Sequence, residues 1–127
     1  MSVERILWEE DATGLANLVR KGEVSAVELT DAAIARAEAT RPDINATAEP
    51  LYDAARARAK TVDPSLPLAG VPFAIKDLGI AIKGVPTHGG SRIPAWLADV
   101  NSALTDRYLA AGLIPIVTST SPSTGFD

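Results

Sequence analysis

The chain has 127 residues, which suits one domain at most, and 46% of them are hydrophobic, as in a globular protein. Its formal net charge of −4 argues against direct binding of nucleic acid, because phosphate backbones attract basic patches. It contains no cysteine, which excludes disulfides, cysteine nucleophiles and thiolate metal sites and fits a reducing compartment.

No stretch of the sequence indicates export or membrane insertion. The N-terminus, from Met1 to Glu10, lacks the basic segment and the apolar core of a signal peptide. No apolar run approaches the roughly 20 residues that a helix needs to span a bilayer. We therefore expect a cytoplasmic protein without a membrane partner.

Helical patterns dominate residues 1–63. Asp11 is predicted to cap the first of these helices and Gly22 to end it. Ser25 and Glu28 have the spacing of a capping box, in which each side chain bonds to the other residue's backbone N–H. This pair predicts the start of a second helix.

Two prolines predict the next boundaries. Pro42 predicts the end of the second helix, because proline lacks an N–H and clashes with the preceding turn. Pro50 predicts the first turn of a third helix, where a missing N–H is tolerated. Residues 63–67, with two more prolines, predict a stiff connector into a strand.

Residues 68–78 form a short apolar run that ends on Lys76 and Asp77. Such a run, bounded by turn residues, predicts a strand that is buried on both faces. In open α/β sheets, ligands bind at the carboxyl ends of the strands. Lys76 is therefore a candidate functional residue.

A lysine can act as a base only in its neutral form, so this role requires enclosure by apolar groups. Phe73 and Ile75 could help to supply such surroundings. Asp77 is not the natural counter-ion, because successive side chains of a strand point to opposite faces. The alternative is a lysine at a strand end that simply reaches water.

A Gly- and Pro-rich loop occupies residues 79–96, with residues 80–82 predicted as a short extended piece. Its His88, the only histidine, is interpreted as a surface or supporting residue rather than a base or a metal ligand. Residues 89–91 could form an anion nest, but no nucleotide fingerprint accompanies them. We find no spacing typical of a metal site and expect neither metal nor cofactor.

The last third of the chain predicts a helix and a second strand. Asn101 or Ser102 caps the helix, and residues 113–117 form the strand. The order strand, helix, strand within residues 66–127 predicts a βαβ-like unit with parallel strands. The Ser/Thr-rich tail, residues 118–127, is interpreted as flexible.

Residues 70–77, Gly-Val-Pro-Phe-Ala-Ile-Lys-Asp, are followed by Lys83-Gly84 and by Thr-His-Gly-Gly-Ser at residues 87–91. This series resembles the N-terminal block of the amidase signature family, whose members hydrolyse carboxamides with a serine, a second serine in a cis peptide and a lysine. The resemblance implies that Lys76 is the catalytic lysine and that Ser91 is a structural loop residue. It implies an α/β fold, with N-terminal helices and the first strands of a mixed sheet, and no cofactor.

The resemblance has one large departure. The family's Gly/Ser-rich segment, which carries both serines, has no counterpart in these residues, and the tail from Thr118 lacks the family's Gly-Lys-Thr-Asn run. We therefore expect residues 1–127 to be the N-terminal part of a single amidase-signature domain. Such a part would be incomplete as a sheet and inactive alone, and it would act on a small amide substrate only when completed.

Two alternatives stay open. The chain could be part of the amidase subunit of a tRNA-dependent amidotransferase, which works with partner subunits, or a truncated, non-catalytic remnant that serves as an interaction module. A sheet of two strands is marginal on its own. We therefore expect exposed strand edges and an apolar patch, through which the chain could self-associate.

Overall fold

A computed structural model describes residues 2–92 and 94–122. The structure is mixed α/β, as predicted. Within these residues the elements are α1 (Val3–Glu9), α2 (Ala12–Arg20), α3 (Ala26–Ile44), β1 (Thr47–Pro50), α4 (Tyr52–Thr61), β2 (Pro72–Lys76), β3 (Pro86–Thr87), β4 (Trp96–Leu97), α5 (Ala103–Ala110) and β5 (Ile114–Ser119).

The helix starts that were predicted from capping residues are confirmed. Asp11 accepts the N–H of Gly14 at 2.7 Å, at the start of α2. The capping box of Ser25 and Glu28 is complete, with its two hydrogen bonds at 3.0 and 3.1 Å. Ser102 caps α5. These starts are predictable because each cap satisfies backbone N–H groups within three residues of itself.

The predicted end of the second helix at Pro42 is wrong, because α3 continues through this residue to Ile44. A proline removes one N–H and disturbs one turn, and here that turn is the last of a 19-residue helix. The helix ends instead at Asn45, which adopts the left-handed conformation with φ of 47° and donates its N–H to the carbonyl of Arg41. Asparagine tolerates this conformation better than most residues.

The predicted helix start at Pro50 is also wrong. Residues Thr47–Pro50 are strand β1, which pairs antiparallel with β5, and α4 begins after them at Tyr52. The stretch 1–63, predicted as helical, therefore contains a strand. Pro50 is the last residue of an edge strand, a position at which a missing N–H is tolerated.

Strand β5 lies at the centre of a three-stranded sheet with the order β1-β5-β2. It is parallel to β2, which confirms the predicted pairing, and antiparallel to β1. Thr118 and Ser119, assigned to a flexible tail, are strand residues, while residues 123–127 of that tail lie outside the described part of the chain. Residues 80–82, predicted as a short extended piece, belong to no strand of the described chain, and the short pair β3–β4 forms further along the loop.

The predicted burial of β2 on both faces is wrong for the residues that the structure describes. Ile75 is buried, with 1% of its surface exposed, but Ala74 and Lys76 are exposed. These side chains are exposed because β2 is an edge strand, which pairs only with β5 in this sheet. Exposed edges favour association between copies, so self-association through β1 or β2 stays a prediction.

The core lies where the helices pack on the sheet and on one another. One cluster joins α2 and α3 to the residues that directly precede β2 and β5, and a second lies between α3, α4 and β5. Their buried members are Leu15, Ala16, Val19, Val24, Leu29, Val71 and Leu113 in the first and Ile34, Ala55, Ile114, Ile116 and Val117 in the second. The two clusters together position β2 and β5.

Arg58 ties α4 to the junction of α5 and β5. Its guanidinium donates to the carbonyl of Leu113 at 2.9 Å and to that of Leu109. The carbonyl of Leu109 also accepts the N–H of Gly112 at 3.1 Å, so the guanidinium is a second donor to it at the end of α5. Burial lowers the pKa of the Arg58 guanidinium from its ordinary value.

Tyr52, at the start of α4, donates its hydroxyl to Glu38 of α3 at 2.5 Å. Burial, and then the hydrogen bond and charge of Glu38, raise the pKa of Tyr52 from 10.0 to about 12. The neutral phenol is therefore the form that the fold favours. This contribution to stability is fully present below the unfolded-state pKa of about 10 and is lost as the pH rises through the folded-state value.

We expect the ultraviolet titration difference between the wild type and Tyr52→Phe to show tyrosinate formation with a midpoint near 12 in the folded chain. In denaturant the same difference should move to about 10. A midpoint that is the same in the folded and denatured chain would show that the contact with Glu38 is not formed in solution.

Candidate active site

The carboxyl ends of β2 and β5 lie side by side, because the two strands are parallel and Lys76 is in register with Ser119. The chain leaves β2 at Asp77 and returns to the same carboxyl ends of the strands in the loop at residues 87–91. This edge is where the fold places the residues that the sequence singled out.

Asp77 is buried, with only 3% of its surface exposed. Its Oδ1 accepts the backbone N–H of His88 at 3.0 Å, and its own N–H donates to the carbonyl of Ser119 at 3.1 Å. A buried carboxylate needs such donors, because an unpaired charge in the interior is costly. Asp77 therefore fastens the loop to the ends of β2 and β5.

His88 reaches the other edge strand with its ring. Its Nε2 lies 2.7 Å from Oε1 of Glu49 in β1, and the two side chains are 30% and 27% exposed. The interpretation of His88 as a surface or supporting residue did not include this partner. Glu49 carried no signal of its own, because the pairing depends on β1 lying beside β5.

The loop itself is closely folded against the end of β5. Both the N–H and the hydroxyl of Ser91 donate to the carbonyl of His88, at 3.2 and 3.1 Å. Gly90 has φ of +70°, and a Cβ there would lie 2.5 Å from the carbonyl oxygen of Ser121. Only glycine fits this close approach of two backbones.

A cavity of about 300 Å³ opens at this edge, at the lower end of the range for small-molecule sites. Its walls come from β1, from the end of β2, from the loop and from the chain after β5. They are formed by Ala48, Asp77, His88, Gly90, Ser91, Arg92, Thr120 and Ser121. The structure thus brings Asp77, His88 and Ser91 together.

Lys76 does not line this cavity. Its side chain is exposed while that of Asp77 is buried, as expected for successive residues of a strand that face opposite sides. Ile75 is buried on the opposite face from Lys76, and the ring of Phe73 packs against Tyr108 with centroids 4.8 Å apart. The apolar enclosure that a lysine base requires is therefore not formed by the described residues.

The described residues contain no group of three or more His, Asp or Glu side chains placed to hold a metal ion. Among the helices of the same part of the chain, none combines the length and the apolar character needed to cross a membrane.

The comparison with known families decides the identity of this fold. Residues 28–127 match the family described as Amidase, which is most of the chain and includes the block around Lys76. The chain belongs to the amidase signature family. The resemblance inferred from residues 70–77 and 87–91 is thereby confirmed.

Individual relatives in this family agree. A 6-aminohexanoate-cyclic-dimer hydrolase of Paenarthrobacter ureafaciens is 37% identical over 122 residues, which cover 94% of this chain and 24% of the relative. One subunit of the glutamyl-tRNA(Gln) amidotransferase of Chloroflexus aurantiacus is 45% identical over 101 residues, which cover 73% of this chain and 20% of the relative.

Solved structures of the amidase signature family share the fold. A structure of 6-aminohexanoate cyclic dimer hydrolase superimposes with a TM-score of 0.83 at 37% identity, over 92% of this chain and 24% of that one. The structure of a bacterial aryl acylamidase of the family superimposes with a TM-score of 0.80 at 26% identity. That match covers 92% of this chain and 26% of the acylamidase chain. The chain thus spans about a quarter of the length of the relatives it matches.

Proposed function

We propose that the protein functions as an amidase-type hydrolase of carboxamide C–N bonds, with Lys76 as its catalytic lysine. The observation that carries the proposal is the position of Lys76. It ends β2 at the carboxyl edge of the sheet, within the residues that match the family. Strand ends of this kind are where α/β folds place their reactive groups.

The reaction would follow the scheme that the family resemblance implies. A serine oxygen attacks the carbonyl carbon, a second serine passes its proton on, and the amine of Lys76 accepts that proton. The lysine then returns the proton, through the same serine, to the leaving nitrogen as the C–N bond breaks. Water releases the acyl group as the acid, and backbone N–H groups would stabilise the oxyanion.

This scheme requires two serines and an enclosed lysine amine. We assign neither serine to this chain and expect the chain to be inactive by itself. The lysine side chain is exposed on an edge strand whose outer side is unpaired in this sheet. A segment that carries the serines and packs on that side would enclose the amine and exclude water from it.

A chimera tests the proposal directly. Residues of this chain replace the aligned portion of the Paenarthrobacter ureafaciens hydrolase, and hydrolysis of the cyclic dimer named for that enzyme is measured as release of a primary amine. We expect the chimera to be active and Lys76→Ala to lower the rate by about 10²- to 10⁴-fold, the usual contribution of general acid–base catalysis. The matched control is Lys83→Ala, which removes another exposed lysine of the same block.

The outcomes separate the candidates. A folded chimera that tolerates Lys76→Ala would refute the role of this lysine. A folded but inactive chimera would favour the non-catalytic interaction module. Activity of the unfused chain that Lys76→Ala abolishes would place a nucleophile within these residues and contradict the assignment of the serines.

A second candidate is the amidase subunit of a tRNA-dependent amidotransferase. The higher identity to the amidotransferase relative from Chloroflexus aurantiacus, 45%, favours it. The net charge of −4 gives no support for direct RNA contact, so partner subunits would supply it. The same chimera built on that relative, in complex with its partners and assayed for glutamine-dependent amidation, distinguishes the two.

A further inference from the structure

Large exposed hydrophobic side chains are concentrated in one short segment of the chain. The described residues have six of them, of which Trp8 and Ile44 lie apart from the rest. The other four, with 43–71% of their surface exposed, are Trp96, Leu97, Val100 and Leu104. A single exposed apolar side chain is ordinary, whereas a group of them marks an interaction surface. We call these four residues, which run from β4 to the first turn of α5, the apolar face.

The apolar face is held in shape by hydrogen bonds to the loop that follows β2. The side-chain oxygen of Asn101 accepts the N–H of Lys83 at 2.7 Å. The carbonyl of Ala81 accepts the N–H of Ser102 at 3.0 Å and the hydroxyl of Thr105 at 2.8 Å. A surface that is ordered before it meets a partner loses little conformational entropy on binding.

Charges of both signs border the apolar face. Lys83 and Arg107 are exposed cations, and Asp99 and Asp106 are exposed anions. The ion pairs formed among residues 2–92 and 94–122 include none of these four side chains. A partner of one charge sign would match only half of this border. A second copy of the chain matches all of it, because it presents cations and anions in equal number.

We propose that two copies of the chain associate through the apolar face about a two-fold axis, with Lys83 of each copy opposite the partner's Asp99. Lys83 forms a β-bridge with Ala98, so the two charges lie at the same border of the face. A closed two-fold dimer requires a self-complementary patch of this kind. The surface is separate from the edges of β1 and β2, and the proposal does not depend on hydrolytic activity.

Sedimentation of the full chain over a range of concentrations measures the association. We expect an equilibrium that stops at two copies. Leu97→Asp should weaken the dimer at least tenfold, because it places a charge within the apolar face. Ile44→Asp is the matched control. It introduces the same charge at a side chain of similar exposure, 65% against 63%, outside the face, and should leave the association unchanged.

Trp96 reports on the same contact by its fluorescence. The chain has two tryptophans, so in Trp8→Phe all tryptophan emission comes from Trp96. We expect this emission to move to shorter wavelength as the concentration rises, because the indole leaves water when the dimer forms. The midpoint should agree with that of sedimentation.

Two charge reversals test the arrangement of the copies. Lys83→Glu places like charges opposite each other at two points of the symmetric contact, and so does Asp99→Lys. Each variant alone should dimerise about tenfold more weakly than the wild type, since two exposed ion pairs are reversed at once. An equimolar mixture of the two variants should form a mixed dimer about as strong as that of the wild type, because both pairs again have opposite charges. Rescue by mixing cannot come from a contact within one chain.

A chain that stays monomeric, or that associates beyond two copies, would overturn the proposal with the wild type alone. Loss of the dimer in Ala74→Asp but not in Leu97→Asp would place the contact on the edge of β2 instead. Failure of the mixed variants to pair would refute the two-fold arrangement. A monomer whose Trp96 becomes buried only when the rest of the Paenarthrobacter ureafaciens hydrolase is added as a separate chain would assign the face to that portion.

Discussion

Replacement of Gly112 by alanine is expected to lower the free energy of unfolding by about 3 kcal/mol. Gly112 lies between α5 and β5 with φ of +97°, where any residue with a Cβ is strained. The added Cβ would lie 2.7 Å from Cα and 2.9 Å from N of Ala69. These are backbone atoms, so they cannot rotate away as a side chain could.

The expected size combines two effects. The left-handed conformation costs an alanine roughly 1–2 kcal/mol, and overpacking adds typically 1–3 kcal/mol. The carbonyl of Gly112 also accepts the N–H of Gly70 at 3.0 Å, so displacement would disturb the start of β2. The strand that ends on Lys76 therefore depends on this contact.

Gly22→Ala is the matched control. Gly22 has φ of +74° but nothing within 4 Å of the Cβ that alanine would add. Gly22→Ala should therefore lower the free energy of unfolding only by the cost of the left-handed conformation, about 1 kcal/mol. Urea unfolding of both variants measures the difference, and equal losses would show that Gly112 and Ala69 are further apart in solution than in the structure.

Ile114→Ala is expected to lower the free energy of unfolding by about 3–4 kcal/mol, which is within the range for truncation of large buried aliphatic side chains. Ile114 is fully buried, with 0% exposure, in the central strand β5. It packs with Ile34 of α3 and Ala55 of α4. Two helices and a sheet cannot all move in to fill the space, so a cavity would remain.

The same substitution at Ile44 controls for the change in side chain. Ile44 ends α3 with 65% of its surface exposed, and its replacement should change stability by less than about 0.5 kcal/mol. Both variants can be measured by urea unfolding monitored by circular dichroism. A loss below about 1 kcal/mol for Ile114→Ala would mean that β5 is not central to the core in solution.

The starts of α2, α3 and α5 could be predicted from the sequence because the physics of a side-chain cap is local. Asp11, Ser25 and Ser102 each bond to an N–H three residues further on. The parallel pairing of β2 with β5 could be predicted as well, because a strand, a crossover and a second strand have few arrangements. Residues 70–77, supported by residues 87–91, were sufficient to indicate the family.

Strand β1 could not be predicted in this way. Residues Thr47–Pro50 have turn and helix-start chemistry, and they form a strand only because β5 offers hydrogen bonds. One of these contacts joins the N–H of Glu49 to the hydroxyl of Thr118, 69 residues away. The exposure of β2 is also a property of the sheet order rather than of the apolar run.

The sequence by itself determined the family, the starts of α2, α3 and α5, the parallel strands and the place of Lys76 at a strand end, since each rests on short-range signals or on a contiguous motif. Only the tertiary structure decided the surroundings of that end. Glu49 and His88 are 39 residues apart and meet because β1 lies beside β5. The cavity at this edge exists for the same reason, because its walls come from four separate parts of the chain.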